Sequence, residues 1–209
     1  MFESGISPQT RRDLASLSQL TELSQFYLAG GTAVALHLGH RISYDLDFFT
    51  SQPFNVNRTI RNLKRLGSFK VEDSSEGTIN GIFNDTKASF FIYPYPLLEK
   101  PTHYDHIPVS GERDLMCMKI DAISNRGKRR DFVDLYALSQ KYKGLQKAFR
   151  DFQRKYRHDD VNLYHVLKSL TYFEDAKTDQ ALDMLAKIDW KTVEKYFQRE
   201  VPALLKLYL

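Results

Sequence analysis

The segment from Phe26 to Thr50 constrains the fold more than any other part of the chain. A short apolar run, Phe26 to Ala29, stops at Gly30-Gly31. Thr32 to Leu38 is rich in Ala, Val and Leu, Gly39 follows, and Tyr44 to Thr50 passes through Asp45-Leu46-Asp47-Phe48. This order reads as strand, glycine turn, short helix and second strand. A glycine just past a helix is where a left-handed terminus sits. Side chains two apart on a strand share a face. Asp45 and Asp47 are therefore expected to project together, with Cα atoms about 6.6 Å apart, given about 3.3 Å of rise per residue. Leu46 and Phe48 then enter the core.

Two carboxylates on one face suit a magnesium ion, which prefers hard oxygen ligands and keeps substrate phosphates and water in its shell. Gly30 and Gly31 let the backbone approach a bulky anion, and the helix that follows offers free N–H groups and the positive end of a dipole. Thr32 adds a hydroxyl. A triphosphate is expected between the glycine turn and the metal. Either half alone is weak, since a Gly-Gly turn is usually only a turn and an Asp-x-Asp pair is often a solvated strand face. The combination is more specific. Arg41 either neutralises a phosphate or pairs with Asp45 or Asp47. His37 reads as structural, and Ser43 as a tie within the turn.

Around this unit the periodicity predicts a helix that opens at Ser7-Pro8 and carries Leu14, Leu17, Leu20 and Leu23, a helix over 57–66, and strands over 69–73, 78–84 and 87–93 joined by hairpin connections. The character changes near Ser110. Helices are expected over 111–125, 130–142, 145–156, 161–173, 178–187 and 192–207. In the first two, Lys119 and Arg126 share a helix face, Gly127 breaks the helix, and Lys128, Arg129 and Arg130 crowd the turn. Asp131 and Asp134 begin the next helix, three apart on one face. A lysine point charge suits a polyphosphate; the competing account is a solvated helix hairpin with an Arg–Asp ion pair.

Two blocks, GGTAVALHLGHRISYDLDFF and MKIDAISNRGKRRDFVDLYAL, resemble the motifs of the AbiEii/AbiGii toxin-like nucleotidyltransferases of the polymerase-β-like superfamily. The resemblance implies an α+β fold. It has a mixed nucleotidyltransferase sheet with helices over residues 1–110, then a helical domain over residues 111–209 that completes the active site. It implies that Gly31 and Thr32 hold phosphate, that Asp45 and Asp47 hold Mg²⁺ and act catalytically, and that Lys119 and Asp134 are the later catalytic pair. Gly30, Arg41, Arg126 and Asp131 join the nucleotide-binding set. The implied activity is transfer of a nucleoside monophosphate from an NTP to an acceptor, tRNA or another RNA, by the toxin of a toxin–antitoxin pair. The cognate antitoxin is then a partner.

One position departs from the superfamily pattern. A third carboxylate commonly stands on a later strand, and Ser89 occupies that place here. Asp134 or Asp131 then fills the role, or positioning and charge stabilisation carry the reaction, or the protein binds nucleotide or RNA without turnover. The same chemistry on a small molecule is a further alternative. Two basic stretches bear on the acceptor: Arg58, Arg61, Lys64 and Arg65, and a run from Lys141 through Lys143, Lys147, Arg150, Arg154 and Lys155 to Arg157. Each reads as a solvated face or as a contact for an RNA backbone. Tyr142, Phe149, Phe152 and Tyr156 interleave the second; they could stack on bases, but their helical spacing favours core packing. Net charge is +4, which tolerates a polyanion without demanding one. A lone Cys117, the lack of an apolar export segment and the lack of any apolar run near 20 residues point to a cytoplasmic protein with no membrane partner.

Overall fold

The computed structural model describes residues 1–142 and 144–208; Lys143, one of the cations in the second basic stretch, lies outside them. The chain divides into two compact units, Met1–Gly111 and Glu112–Leu209.

The first unit is built on a seven-stranded mixed sheet. In chain order the strands are β1 Tyr27–Ala29, β2 Leu46–Thr50, β3 Phe69–Ser75, β4 Thr78–Phe83, β5 Thr86–Ile92, β6 Thr102–Tyr104 and β7 Ile107–Val109, and across the sheet they run β3-β4-β5-β2-β1-β7-β6. β1 runs antiparallel to β2 and parallel to β7, and β2 runs parallel to β5. Alternation along the strands sorts the two faces. Leu46, Phe48, Ala88 and Phe90 are fully buried on one face, where the Phe48 and Phe90 rings stack 5.1 Å apart. Helices α1 Pro8–Leu17 and α3 Val56–Leu66 pack on the sheet; α1 stops at Leu17, and Leu20 and Leu23, expected on the same helix, belong to a separate 3-10 turn, Thr21–Gln25, and the residue before it. Asp47 and Phe49 point to the other face and are half-buried.

The caps follow the sequence. Ser7 accepts from Thr10 N and Asn55 from Arg58 N at the two helix starts, bonds worth about 1 kcal/mol each. Gly39 ends helix α2, Gly30–Leu38, at φ 60. Gly77 at φ 74 and Asn84 at φ 51 turn the β3–β4 and β4–β5 hairpins. The five strands expected from periodicity are present within a few residues of their expected bounds. β6 and β7 had no such signal, being three residues each, with Pro108 inside one.

The second unit is helical: α4 Glu112–Arg126, α5 Arg129–Lys141, α6 Gly144–Lys155, α7 Leu163–Ser169, α8 Glu174–Lys177 and α9 Trp190–Tyr208. Its core gathers the rings of Phe132, Phe173, Trp190 and Phe197. Several expectations are corrected here. No helix forms over 178–187. Asp179 instead accepts from Arg129 N at 2.7 Å and from Lys128 Nζ at 3.1 Å, capping the start of α5. Those charge-assisted bonds outweigh a helix preference of a few tenths of a kcal/mol per residue. The helix expected over 161–173 contracts to α7, capped by Asn162. Lys155 is also corrected: it faces neither solvent nor a ligand, because its ammonium is buried 2.6 Å from Asp114. Phe149, Phe152 and Tyr156 are core, as their spacing predicts, whereas Tyr142, expected with them, is only half-buried.

Candidate active site

Asp45 stands one residue before β2 and Asp47 is its second residue, so the two carboxylates flank the fully buried Leu46. The glycine turn is shaped around the second of them. Gly30 has φ 64, and a Cβ there would lie 2.5 Å from Oδ2 of Asp47. Only glycine takes this backbone cheaply and leaves the space that Asp47 fills. Gly31 is tight for another reason: a Cβ would meet Nη2 of Arg41 at 2.4 Å. The Arg41 guanidinium thus lies against the first turn of α2, where Nη1 also donates to the Ile42 carbonyl at 3.1 Å.

The loop that delivers Asp45 is held from three sides. Thr32, buried on α2, donates to the Asp45 carbonyl and reaches Ser43 Oγ at 2.9 Å. Thr10 on α1 donates to the Tyr44 carbonyl at 3.1 Å. The N-terminal segment bridges Ile6 to Ser43, with Ser43 N donating to the Gly5 carbonyl at 2.9 Å. Ser43 is a tie, as its position in the turn suggests. Thr10 and the Gly5–Ile6 bridge escaped the sequence reading, since a contact 34 residues away leaves no local periodicity. His37 is structural: its ring lies 2.9 Å from the Ser110 carbonyl. Across β2 and β5, Asp47 pairs with Ser89, and Ser89 pairs in turn with Asn80 on β4. The strand position beside Asp47 therefore carries a hydroxyl and an amide but no acid.

In the helical unit, Lys119 Nζ on α4 lies 2.8 Å from Asp131 and 2.7 Å from Asp134 on α5, with all three side chains buried. Arg126 forks onto Asp131 through Nε at 2.8 Å and Nη2 at 2.9 Å. Burial pushes the Asp131 carboxyl up, but the Lys119 ammonium and the Arg126 guanidinium outweigh it and hold the carboxyl below its ordinary value. The spacing of the second block thus brings all four side chains together, two cations against two anions.

The model for the family described as nucleotidyl transferase AbiEii toxin, Type IV TA system, matches residues 12–96 and 91–206. The chain belongs to the AbiEii nucleotidyltransferase toxin family. A relative in Aquifex aeolicus (strain VF5), the uncharacterized protein aq_aa25, is 36% identical over 96% of this chain and 98% of its own length. The fold is similar to MenT4, the nucleotidyltransferase toxin Rv2826c of Mycobacterium tuberculosis H37Rv, at a TM-score of 0.61 and 16% identity, covering 93% of this chain and 82% of that one. It is also similar to JHP933 from Helicobacter pylori, at a TM-score of 0.50 and 14% identity over 98% and 100% of the two chains. This AbiEii-family chain is a nucleotidyltransferase with the polymerase-β-like fold.

The donor set of the AbiEii sheet unit fits a hard divalent cation. Asp45 and Asp47 are the two carboxylates that would hold it, while among the described residues no three His, Cys, Asp or Glu side chains gather around one point. A cation held by two carboxylates has to complete its shell with phosphate and water oxygens, the usual habit of Mg²⁺. No helix of the described residues is long and apolar enough to cross a membrane.

Proposed function

We propose that this protein transfers a nucleoside monophosphate from an NTP to a hydroxyl of RNA, with tRNA the leading acceptor, and does so as the toxin of a pair with a cognate antitoxin. NTP and tRNA place the reaction in the cytoplasm. The observation that carries the reading is the seating of Asp47 against Gly30, which aims a carboxylate at the first turn of α2.

The amides of that turn would receive phosphate oxygens, since the opening N–H groups of a helix have no intrahelical partners. Gly31 keeps the backbone accessible and seats Arg41, whose charge lies beside the same turn. Thr32 acts by fixing Asp45 through its carbonyl. When bound between Asp45 and Asp47, Mg²⁺ would neutralise charge on the triphosphate. The acceptor oxygen then bonds to the α-phosphorus, the bond to pyrophosphate breaks, and the hydroxyl proton passes to a carboxylate. For Lys119 and Asp134 we propose shares in this chemistry, in phosphate charge and in proton acceptance. The motif supports those roles, and their geometry is a buried ion pair inside the helical unit. Exposed Arg61, Lys64 and Arg65 on α3 favour a polyanionic acceptor over a small molecule.

The test is to incubate the protein with Mg²⁺, each labelled NTP in turn, and total tRNA. Label should appear on RNA with one or more NTPs, and Asp47→Ala should reduce it at least about a hundredfold. Label on a small molecule alone, or transfer that survives in Asp47→Ala, would sink this reading.

A further inference from the structure

We infer that the cavity at the C-terminal end of α4 binds one nucleotide of a single-stranded RNA. The inference rests on the reading that the acceptor is RNA. The cavity has a volume of about 510 Å³ and lies between the residues that end α4 and those of α7 and the turn after it. That volume falls within the range of built small-molecule sites.

Its lining has the chemistry of a nucleotide. Arg126 reaches it from the end of α4, its guanidinium fixed by the fork onto Asp131. Lys168 and His165 reach it from α7, one turn apart. The His165 ring is oriented by the Ser124 carbonyl, 3.3 Å away. Tyr172 adds an aromatic wall and is left 55% exposed. A second tyrosine with the same exposure, Tyr164, lies 5.8 Å under the Lys168 ammonium. A single exposed tyrosine needs no explanation. An exposed ring that lines one concavity together with cations, as Tyr172 does with Arg126 and Lys168, is the pairing used to stack bases and hold backbone phosphate in unpaired strands. Asp175 is the lone carboxylate of the lining. It suits a ribose hydroxyl or an exocyclic amine, whereas Lys168 and Arg126 suit phosphate. A base that stacks on Tyr172 inside this cavity has to leave the stack of a duplex, so the occupant is an unpaired nucleotide.

The test measures fluorescence anisotropy of a labelled single-stranded oligoribonucleotide with the full chain, without NTP, across a salt series. Lys168→Glu and Tyr172→Ala alter exposed side chains, and circular dichroism will confirm that both variants fold. Each should weaken binding about tenfold, and Lys168→Glu should flatten the slope of log affinity against log salt by about 0.7. Lys195→Glu, an exposed cation on α9 that does not line this cavity, should change affinity by no more than about twofold. Wild-type affinity in both cavity variants overturns the inference. So does equal loss in Lys195→Glu, or equal competition by a fully paired duplex of the same sequence. If no NTP is transferred to any RNA yet the variant-specific loss persists, the transfer reading fails and the cavity inference stands.

Discussion

At the scale of single residues, the two adjacent glycines do different work. Gly30 occupies a left-handed backbone conformation and touches Asp47, while Gly31 has no such backbone demand and touches the end of the Arg41 side chain. An alanine at position 30 therefore incurs about 1–2 kcal/mol of backbone strain and also pushes a carboxylate. An alanine at position 31 asks the Arg41 guanidinium to give way and crowds Ser43 Oγ at 3.3 Å, with no backbone strain. For a chain of this length, about 2–4 °C of melting temperature corresponds to each kcal/mol. Gly30→Ala is expected to lower the melting temperature by several degrees, and its transfer rate should fall further than the lost folded population explains. Gly31→Ala should melt closer to wild type. Thermal denaturation alongside initial rates decides this; equal melting temperatures for the two variants would refute the distinction.

Between elements, the α4–α5 hairpin is locked by buried charge. Because the folded Asp131 carboxyl lies below its unfolded value, its contribution is present above the ordinary carboxylate range, about pH 4, and is lost as pH falls through the lower folded value. Arg126, about half exposed, stabilises through this carboxylate. Arg126→Gln should cost about 1–2 kcal/mol at pH 7, a charge-assisted fork discounted for screening. The gap to wild type should shrink as the pH is lowered towards 3. Urea midpoints at several pH values measure it, and a gap that does not change with pH would show that Asp131 is not the group being read. This lock also marks what the sequence could reveal. Helical spacing placed Lys119, Arg126, Asp131 and Asp134 on facing turns, and strand alternation placed Asp47 opposite its fully buried neighbours. Neither periodicity could show that Asp179 would leave the segment over 178–187 to cap α5, or that Lys155 would be drawn inward by Asp114. Those outcomes depend on partners 50 and 41 residues away, and long-range partners compete with local preference without leaving a local trace. β6 and β7 were hidden for a simpler reason: three residues are too few to establish a period.

For the whole molecule, the two-carboxylate site makes a claim about linkage. A ligand that binds the folded chain alone stabilises it by about 2.7 kcal/mol at a hundred times its Kd, equivalent to about 5–10 °C here. With two compact units, melting can proceed in more than one step, so the shift is to be read on whichever transition moves. Since Asp45 and Asp47 offer only part of a cation's shell, Mg²⁺ alone should shift the melting little, and NTP with Mg²⁺ should shift it strongly. Asp45→Asn should lose most of that shift, and Lys168→Glu, in the cavity assigned to RNA, should keep it. Differential scanning fluorimetry over an NTP titration provides the comparison. If Mg²⁺ alone were to stabilise the chain as much as Mg²⁺ with NTP, the protein would have to supply a complete metal shell of its own. The phosphate would then have no place as the ligand that completes it.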